Sequence, residues 1–387
     1  MDFDLSQEQQ EFQRAVRAFA REAIAPRAEE MDRQAELPMD LVKQMAELGL
    51  FGLPFPEEYG GQGSDFLTFC LAVEEIARVD SSMAITLEAA VGLGANPIFA
   101  DGSEEQKQRW LVPMCRGEIL GSFGLTEPGG GSDAGATRTT ATLEGGHWVI
   151  NGSKAFITNS GTPISSVCTI TAVTGPGEGR RREISAIIVP ADTPGFEVGP
   201  SYRKLGWRAS DTHELSLADC RVPGENLLGQ RGEGYAQFLR TLDDGRIAIA
   251  SLALGLAEGC LDETLKYANE RMAFRRPIGS FQGLQFKIAD MKVAVETARL
   301  ATYRAAWLRD QGRPYKAEAS LAKLYASEVA VACARDAVQI HGAYGYMEEY
   351  AVARYYRDSK VLEIGEGTSE IQRILITRDL GLPGTEL

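Results

Sequence analysis

Glu366 is the residue that we single out first as a candidate for acid–base chemistry. It lies between Gly365 and Gly367, just ahead of a predicted helix with apolar positions within 371–375. A glutamate at a helix start is commonly a capping or dipole residue, because this end of a helix favours negative charge. The flanking glycines favour a chemical role, because they remove side chains that would bury or shield the carboxylate. On this segment alone both interpretations stay open.

A second candidate is the glycine-rich segment Leu125–Asp133, with the sequence LTEPGGGSD. Glycines let a flat or anionic ligand approach the backbone N–H groups closely. A plain turn explains a bare glycine-rich loop equally well. The spacing is not GxGxxG, so a dinucleotide-binding Rossmann fold is not indicated.

The sequence lacks the motifs of the common hydrolases and metal sites. The sequence has three histidines and no GxSxG, HExxH or P-loop spelling. Its six cysteines have no CxxC spacing, so neither a disulfide framework nor a zinc site is predicted, and buried apolar roles are expected for them. We therefore expect no metal site.

The composition of the chain limits the kinds of partner that we expect it to bind. The formal net charge is −14 at pH 7, which disfavours nucleic acid, and the nearest basic run is Arg180-Arg181-Arg182. The N-terminus is acidic and polar where a signal peptide needs a basic start and an apolar core. No unbroken apolar stretch approaches the ~20 residues of a membrane-spanning helix. We expect a cytoplasmic protein that does not bind membranes.

The elements that must position these residues fall into three blocks, predicted as an N-terminal α-helical domain (1–121), a central β-domain (122–230) and a C-terminal helical bundle (231–387). Ser6-x-x-Gln9 and Ser103-x-x-Gln106 spell capping boxes at helix starts. Short Thr-, Val- and Ile-rich runs within 137–189 predict antiparallel strands, and Asn151-Gly152 predicts a type I′ hairpin turn. The last block has three long helical stretches, within 234–271, 282–310 and 314–340. The fold class is α+β and mostly α.

Five motifs occur together along the whole chain. They are Phe123–Asp133, Gly152–Asn159, Arg271-x-x-Phe274 followed by Phe281-Gln282, Gln339–Gly342 and Glu366–Gln372. In this order they resemble the acyl-CoA dehydrogenase family. The resemblance implies a four-helix C-terminal bundle, a homotetramer built as a dimer of dimers, and one FAD in each subunit.

The resemblance also implies the site residues, carried over position by position. The implied FAD contacts are Phe123, Leu125, Thr126, Ser132, Phe156, Thr158, Arg271, Phe274, Gln282, Gln339, Gly342, Thr368 and Glu370. Those from Arg271 to Gly342 would be offered across a subunit boundary. The implied substrate contacts are Ser132, Asp243, Arg246, Gly365 and Gly367, with the stretch around Asp243 meeting the CoA portion.

The implied reaction is α,β-dehydrogenation of an acyl-CoA to the trans-2-enoyl-CoA, as in fatty acid β-oxidation. Glu366 would take the α-proton while flavin N5 accepts the β-hydride. The backbone N–H of Glu366 and a ribityl hydroxyl of FAD would hold the thioester oxygen. One branch of the family carries its base at the position of Gly245, so the glycine there leaves Glu366 as the base. Electron-transferring flavoprotein is the expected electron acceptor.

Three departures from the family pattern concern the substrate and the cofactor, and the expected pocket floor adds a further clue. Gly365 replaces a tyrosine that is usual in straight-chain enzymes, which predicts either a short or medium acyl group with some branching or bulk near Cα and Cβ, or a pocket that is simply permissive. Ala343 and Arg275 stand where glycine is usual, in segments that face the cofactor. Glu88 belongs to a helix expected to form the floor of the acyl pocket, and no arginine within 83–98 would hold a distal carboxylate.

Three alternatives stay open at this point. An acyl-CoA oxidase would let oxygen reach the reduced flavin, and an enoyl-CoA reductase would run the same bond changes backwards. A flavin-containing relative that binds DNA would need an added basic domain or surface. This chain has an acidic balance instead, which disfavours that alternative.

Overall fold

A computed structural model describes residues 4–177 and 182–383, so Arg180 and Arg181 of the short basic run lie outside the described residues. Helices form the first block. They are α1 (Gln7–Phe19), α2 (Ala28–Gln34), α3 (Met39–Glu47), α4 (Phe66–Ala77), α5 (Ser81–Glu88), α6 (Asn96–Asp101), α7 (Glu104–Gln106) and α8 (Val112–Cys115). Three π-helical segments continue α1, α5 and α7, at Ala20–Ile24, Ala89–Ala95 and Lys107–Leu111.

Both predicted capping boxes are confirmed. The Ser6 hydroxyl accepts from the backbone N–H of Gln9 at 3.1 Å, and the Gln9 side chain accepts from the Ser6 N–H at 3.0 Å. Ser103 and Gln106 make the same reciprocal pair at 3.2 and 3.0 Å. Each pair satisfies two N–H groups that have no partner within the helix.

The middle block is an eight-stranded sheet with the order β6-β7-β3-β2-β4-β5-β8 and with β1 also paired to β4. Its strands are β1 (Leu120–Gly124), β2 (Thr140–Glu144), β3 (His147–Thr158), β4 (Ser165–Pro176), β5 (Arg182–Pro190), β6 (Phe196–Val198), β7 (Thr212–Pro223) and β8 (Leu227–Leu228). Most pairs are antiparallel, as predicted. The pairing of β1 with β4 is parallel, and so is the single bridge between β2 and β4.

The predicted hairpin at Asn151-Gly152 is wrong. β3 runs unbroken through both residues, and the turn lies at Gly145-Gly146, whose φ values of 55° and 82° suit a type I′ turn. Gly152 lies where the β3–β7 register shifts, and a Cβ there would lie 2.4 Å from the Thr139 hydroxyl. The glycine is needed for close backbone approach and not for a turn.

Long helices form the third block, and they agree with the predicted stretches to within a few residues. They are α9 (Gly234–Glu270), α10 (Gln282–Asp310), α11 (Lys316–His341), α12 (Ala351–Ser359) and α13 (Ser369–Asp379), with the short strands β9 (Met272–Ala273) and β10 (Arg276–Pro277) after α9. One apolar core joins this block to the N-terminal helices, whereas the sheet has its own core around Trp148. The family fold, mostly α with a central sheet, is thus confirmed. The domain boundaries at 121/122 and 230/231 stay a prediction.

The helical run Ser81–Asp101 is the one described segment long and apolar enough to span a membrane by composition. About 78% of its most apolar window is buried inside the fold, as in the core helix of a globular protein. All six cysteines are buried and free, as expected.

Candidate active site

A tight turn holds Glu366 at the start of α13. The residue has a φ of 52°, a left-handed conformation that is uncommon outside glycine, and Gly367 follows with a φ of 93°. The Gly367 carbonyl accepts from Lys323 Nζ at 2.7 Å and from the Gln372 side chain at 2.9 Å. Thr368 caps α13 by accepting from the N–H of Ile371 at 3.3 Å. These contacts fix the backbone, so the direction of the Glu366 side chain is set by the fold.

The Glu366 carboxyl turns towards α9. Part of the residue is accessible to solvent, yet its oxygen Oε2 is buried. A Cβ added at Gly245 would lie 2.0 Å from Oε2, so only glycine leaves room for the carboxyl. The expectation that the flanking glycines leave the carboxylate unshielded is therefore wrong, because α9 and α5 enclose it from the other side.

Burial makes this carboxyl a stronger base than an ordinary glutamate. Loss of solvent raises the pKa of Glu366, while the nearby positive charges of Lys323 and Arg246 oppose that rise. The same burial lowers the pKa of Lys323 to about 8. A carboxyl that is ionised near neutral pH and has a raised pKa suits proton abstraction from carbon.

Glu88, the last residue of α5, extends to the same point. Its side chain is within hydrogen-bond reach of Glu366, and the two carboxyls are buried together. Burial, and then the charge of Glu366, raise the pKa of Glu88 well above its ordinary value. The expected pocket floor therefore carries an acid in direct contact with the candidate base.

The glycine-rich segment is tied down by a buried ion pair. Lys154 Nζ lies 2.8 Å from Glu127 Oε1, and the lysine side chain is fully buried. Glu127 also accepts from Arg138 N at 2.7 Å and from Thr139 N at 3.0 Å. These partners hold the pKa of Glu127 low despite its burial. The pair joins two of the sequence motifs, Phe123–Asp133 and Gly152–Asn159.

Flat and polar groups line the space beside this loop. Phe156 has a φ of 60° and a ring that is 65% exposed, and it lies 5.1 Å from the ring of Tyr202. Phe123 stacks on Phe238 of α9 at 4.0 Å. Leu125 is buried, Thr126 and Thr158 are half-buried, and Ser132 is exposed. An exposed aromatic platform with hydroxyls and a glycine loop suits a flat, hydrogen-bonding ring system.

Five of the predicted cofactor residues lie at the far end of α9 or in the segments beside it. Arg271 follows the helix and its guanidinium lies 5.4 Å from the ring centre of Tyr344, close to Gly342 in sequence. Phe274 is 90% exposed with a φ of 51°, and its ring lies 5.9 Å from that of Phe281. Gln282, Gln339 and Gly342 are also exposed. From Gly245 to Arg271, α9 rises roughly 40 Å, so the structure separates this group from Glu366.

Asp243 and Arg246 are buried and paired with each other, and Lys316 Nζ lies 3.1 Å from Asp243 Oδ2. Arg246 Nε has no partner among the described residues. Glu370 is exposed on the first turn of α13, where the helix N-terminus lowers its pKa through backbone hydrogen bonds.

Models of known protein domains match most of the chain. Residues 6–118, 122–220 and 232–381 match the models for the N-terminal, middle and C-terminal domains of acyl-CoA dehydrogenase. The chain is 52% identical, over 98% of its own length and all of the relative's, to the probable acyl-CoA dehydrogenase YngJ of Bacillus subtilis. The chain belongs to the acyl-CoA dehydrogenase family.

The fold of this chain also closely matches two solved structures. Butyryl-CoA dehydrogenase from Megasphaera elsdenii matches with a TM-score of 0.95 and 42% identity, over 99% of this chain and 100% of that one. A chain from a structure of the electron transferring flavoprotein of Acidaminococcus fermentans matches with a TM-score of 0.95 and 46% identity, over 98% and 99%. This acyl-CoA dehydrogenase is accordingly an FAD-dependent oxidoreductase that acts on the CH–CH bond of an acyl-CoA.

Three features of the site were not predicted from the sequence. They are the Glu127–Lys154 pair, the Lys323 contact to Gly367, and the contact between Glu88 and Glu366. Lys154 begins a run predicted as a strand, and that position was a weak signal for the first, because a lysine that is buried in a sheet needs a partner. The other two join segments far apart in the sequence and carry no local signal.

Proposed function

We propose that this acyl-CoA dehydrogenase forms the trans-2-enoyl-CoA, with Glu366 as the base that takes the α-proton. The observation that carries this proposal is the buried Glu366 carboxyl, enclosed beside Gly245 with a raised pKa. Bound FAD supplies the hydride acceptor. Burial raises the pKa of the carboxyl, so that it is basic enough to take a proton from a weakly acidic C–H bond.

The other predicted residues have roles in binding. The loop Leu125–Ser132, with Phe123, Phe156 and Thr158, would hold the flavin part of FAD, since these residues offer the aromatic platform and hydroxyls. The backbone N–H of Glu366 would hold the thioester oxygen, where negative charge develops in the transition state. Thr368, which caps α13, and Glu370, on its first turn, would contact the cofactor, as the family resemblance implies.

The CoA part of the substrate would pass Asp243 and Arg246, and Ser132, Gly365 and Gly367 would line its acyl end. A Cβ at Gly365 would meet only Val361 O, at 3.5 Å, so the pocket is open where most straight-chain relatives have a tyrosine. We therefore propose a short or medium acyl group that tolerates branching near Cα and Cβ.

The exposed group at the far end of α9 supports a homotetramer. This group lies where α9 ends, roughly 40 Å along the helix from Gly245, which is too far from Glu366 to contact the same end of one cofactor. Its members are exposed, and the ring of Phe274 is 90% exposed. In a dimer of dimers these residues would meet the adenine half of a neighbour's FAD. Electron-transferring flavoprotein as acceptor and a cytoplasmic location complete the proposal.

The test of the base is Glu366→Gln in the FAD-loaded enzyme. We expect flavin absorbance to be retained, but bleaching by butyryl-CoA under anaerobic conditions to slow by at least ~10²-fold, as for a lost general base. Glu36→Gln, an equal change at an exposed glutamate with no proposed role, is the control and should leave bleaching unaffected. Bleaching by Glu366→Gln at near wild-type rate would reject the assignment.

The same preparation separates the related activities. A dehydrogenase reduces an artificial electron acceptor and forms little peroxide in air, whereas an oxidase forms peroxide in step with product. Net reduction of an enoyl-CoA by a chemical electron donor, without measurable oxidation of the saturated thioester, would favour the reductase.

A further inference from the structure

The carboxyl group of Glu88 has no use in the proposed mechanism, although it is buried against the base. Neither of its carboxyl oxygens has a hydrogen-bond donor among the described residues, and the same holds for Oε2 of Glu366. Glu88 ends α5 and is followed by the π-helical segment Ala89–Ala95. A Cβ at Gly92 in that segment would lie 2.8 Å from Glu88 Oε1. The π-helical turn and its glycine thus leave space for this carboxyl, and π-turns are frequent at functional sites.

Two carboxylates can only accept hydrogen bonds, so the contact between Glu88 and Glu366 requires a proton. Two negative charges in contact away from water would repel strongly, and such pairs share one proton. The surroundings decide which group keeps it. Glu88 has no cation near it among the described residues, whereas Glu366 has Lys323 and Arg246. The negative charge is therefore more stable on Glu366.

We propose that Glu88 is a positioning residue for the catalytic base: as a neutral acid it donates its O–H to the Glu366 carboxylate. This donation fixes the orientation of the carboxylate and stabilises its charged form, which burial alone would disfavour. The inference rests on the proposed role of Glu366 as the base. It adds a residue that touches the base and shifts the pH range in which the base is ionised.

Other charges also act on the pair. Lys323 of α11 and Arg246 of α9 act on Glu366 directly. Glu363, in the turn before Glu366, and Glu370 of α13 act on Lys323. Arg246 is in turn paired with Asp243, which also contacts Lys316 at the start of α11. Lys323 has a pKa lowered to about 8, so it loses its charge only on the alkaline side of neutrality. On the acidic side of a plot of kcat/KM against pH, Lys323 and Arg246 therefore stay charged. The fall in rate on that side measures the protonation of the carboxyl pair alone.

The first experiment compares kcat/KM for butyryl-CoA against pH in the FAD-loaded wild type, Glu88→Gln and Glu88→Leu. Leucine cannot donate, so we expect the acidic limb to move upward by about one pH unit or more, which is a tenfold loss at pH values below the limb. The glutamine amide still donates an N–H, so its limb should stay close to that of the wild type. A downward shift in both variants would mean that Glu88 is ionised, and equal losses at every pH would mean a structural role; either result overturns the proposal.

The second experiment needs no turnover. Infrared spectra of the substrate-free, FAD-loaded enzyme with ¹³C-labelled glutamate are compared at neutral pH as differences between variants. A labelled band of a protonated carboxyl should disappear from the wild type on Glu88→Gln and remain on Glu366→Gln. The bands of other buried glutamates cancel in these differences, among them that of Glu74, whose pKa burial raises to about 8. The unlabelled carboxyl of Asp358, whose pKa burial raises to about 7, serves as an internal reference that Glu88→Gln leaves in place. Absence of the labelled band from the wild type would refute the protonated Glu88. Failure of the base assignment appears separately, as undiminished flavin bleaching by Glu366→Gln.

Discussion

Replacing Gly245 with alanine tests how closely α9 fits the Glu366 carboxyl. The added Cβ would lie 2.0 Å from Oε2 and 3.0 Å from Cδ of Glu366. Gly245 lies in a stretch of α9 that is buried from Asp243 to Ala257. The helix backbone is therefore held on all sides, and we expect the Glu366 side chain to move.

The size of the effect follows from that contact. Ordinary van der Waals separation is ~3.5 Å, so the carboxyl must retreat by more than about 1 Å. A misplacement of about 1 Å in a reacting group costs on the order of 10²-fold in rate. Stability should change little, because alanine is favoured over glycine in a helix by about 1 kcal/mol and this offsets part of the overpacking cost of ~1–3 kcal/mol.

The assay is the anaerobic rate of flavin bleaching by butyryl-CoA in the FAD-loaded Gly245→Ala enzyme. Gly283→Ala is the matched control, because it makes the same change in a helix where a Cβ would meet nothing within 4 Å. The loss should also shrink in a Glu366→Asp background, since the shorter side chain withdraws the carboxyl from α9. A Gly245→Ala rate within about threefold of wild type, or an equal loss in Gly283→Ala, would refute this reasoning.

Three further predictions concern the loop, the pocket and a buried acid. Lys154→Met leaves Glu127 buried without its cation and should lower the free energy of unfolding by ~3–5 kcal/mol, with earlier loss of FAD, as measured by urea titration followed by flavin fluorescence. Gly365→Tyr should lower kcat/KM for isobutyryl-CoA relative to butyryl-CoA by about tenfold or more, because the ring occupies the open side of the pocket. Burial raises the pKa of Asp358 from 3.8 to about 7. Between these two pH values the folded protein holds a proton on Asp358 that the unfolded chain has released. The free energy of unfolding of the wild type therefore declines as the pH rises from about 4 to about 7. Asp358→Asn, which keeps the acceptor for Trp207 N at 2.7 Å, should therefore gain thermal stability over wild type at about pH 8 and much less at about pH 4.

Local sequence signals were reliable where the interaction is local. The capping boxes at Ser6 and Ser103 were predicted from residues three positions apart, and both are present. Asn151-Gly152 has the local signal of a hairpin, yet the pairing of β3 with β7 carries the strand straight through it. Long-range pairing overrode the turn propensity there, and Gly145-Gly146, with no asparagine, took the turn.

The long helices could be predicted to within a few residues because their apolar and small positions recur over many turns. The parallel pairing of β1 with β4 could not, because alternation within a strand does not state which neighbour it takes. The same limit applies to Lys154, whose partner Glu127 is 27 residues away in the sequence. The motif residues themselves were visible, but the bond that joins two motifs was not.

The sequence by itself determined the family, the cofactor and the identity of the candidate base, because these depend on residue types at fixed spacings around Glu366. The tertiary structure decided the environment of that base. It brought Gly245 and Glu88, from two other helices, against one carboxyl, and it buried the carboxyl oxygens of Glu88 and the Oε2 oxygen of Glu366. The affinity of a carboxylate for a proton depends on nearby charges and solvent, and those are set only when distant segments pack together.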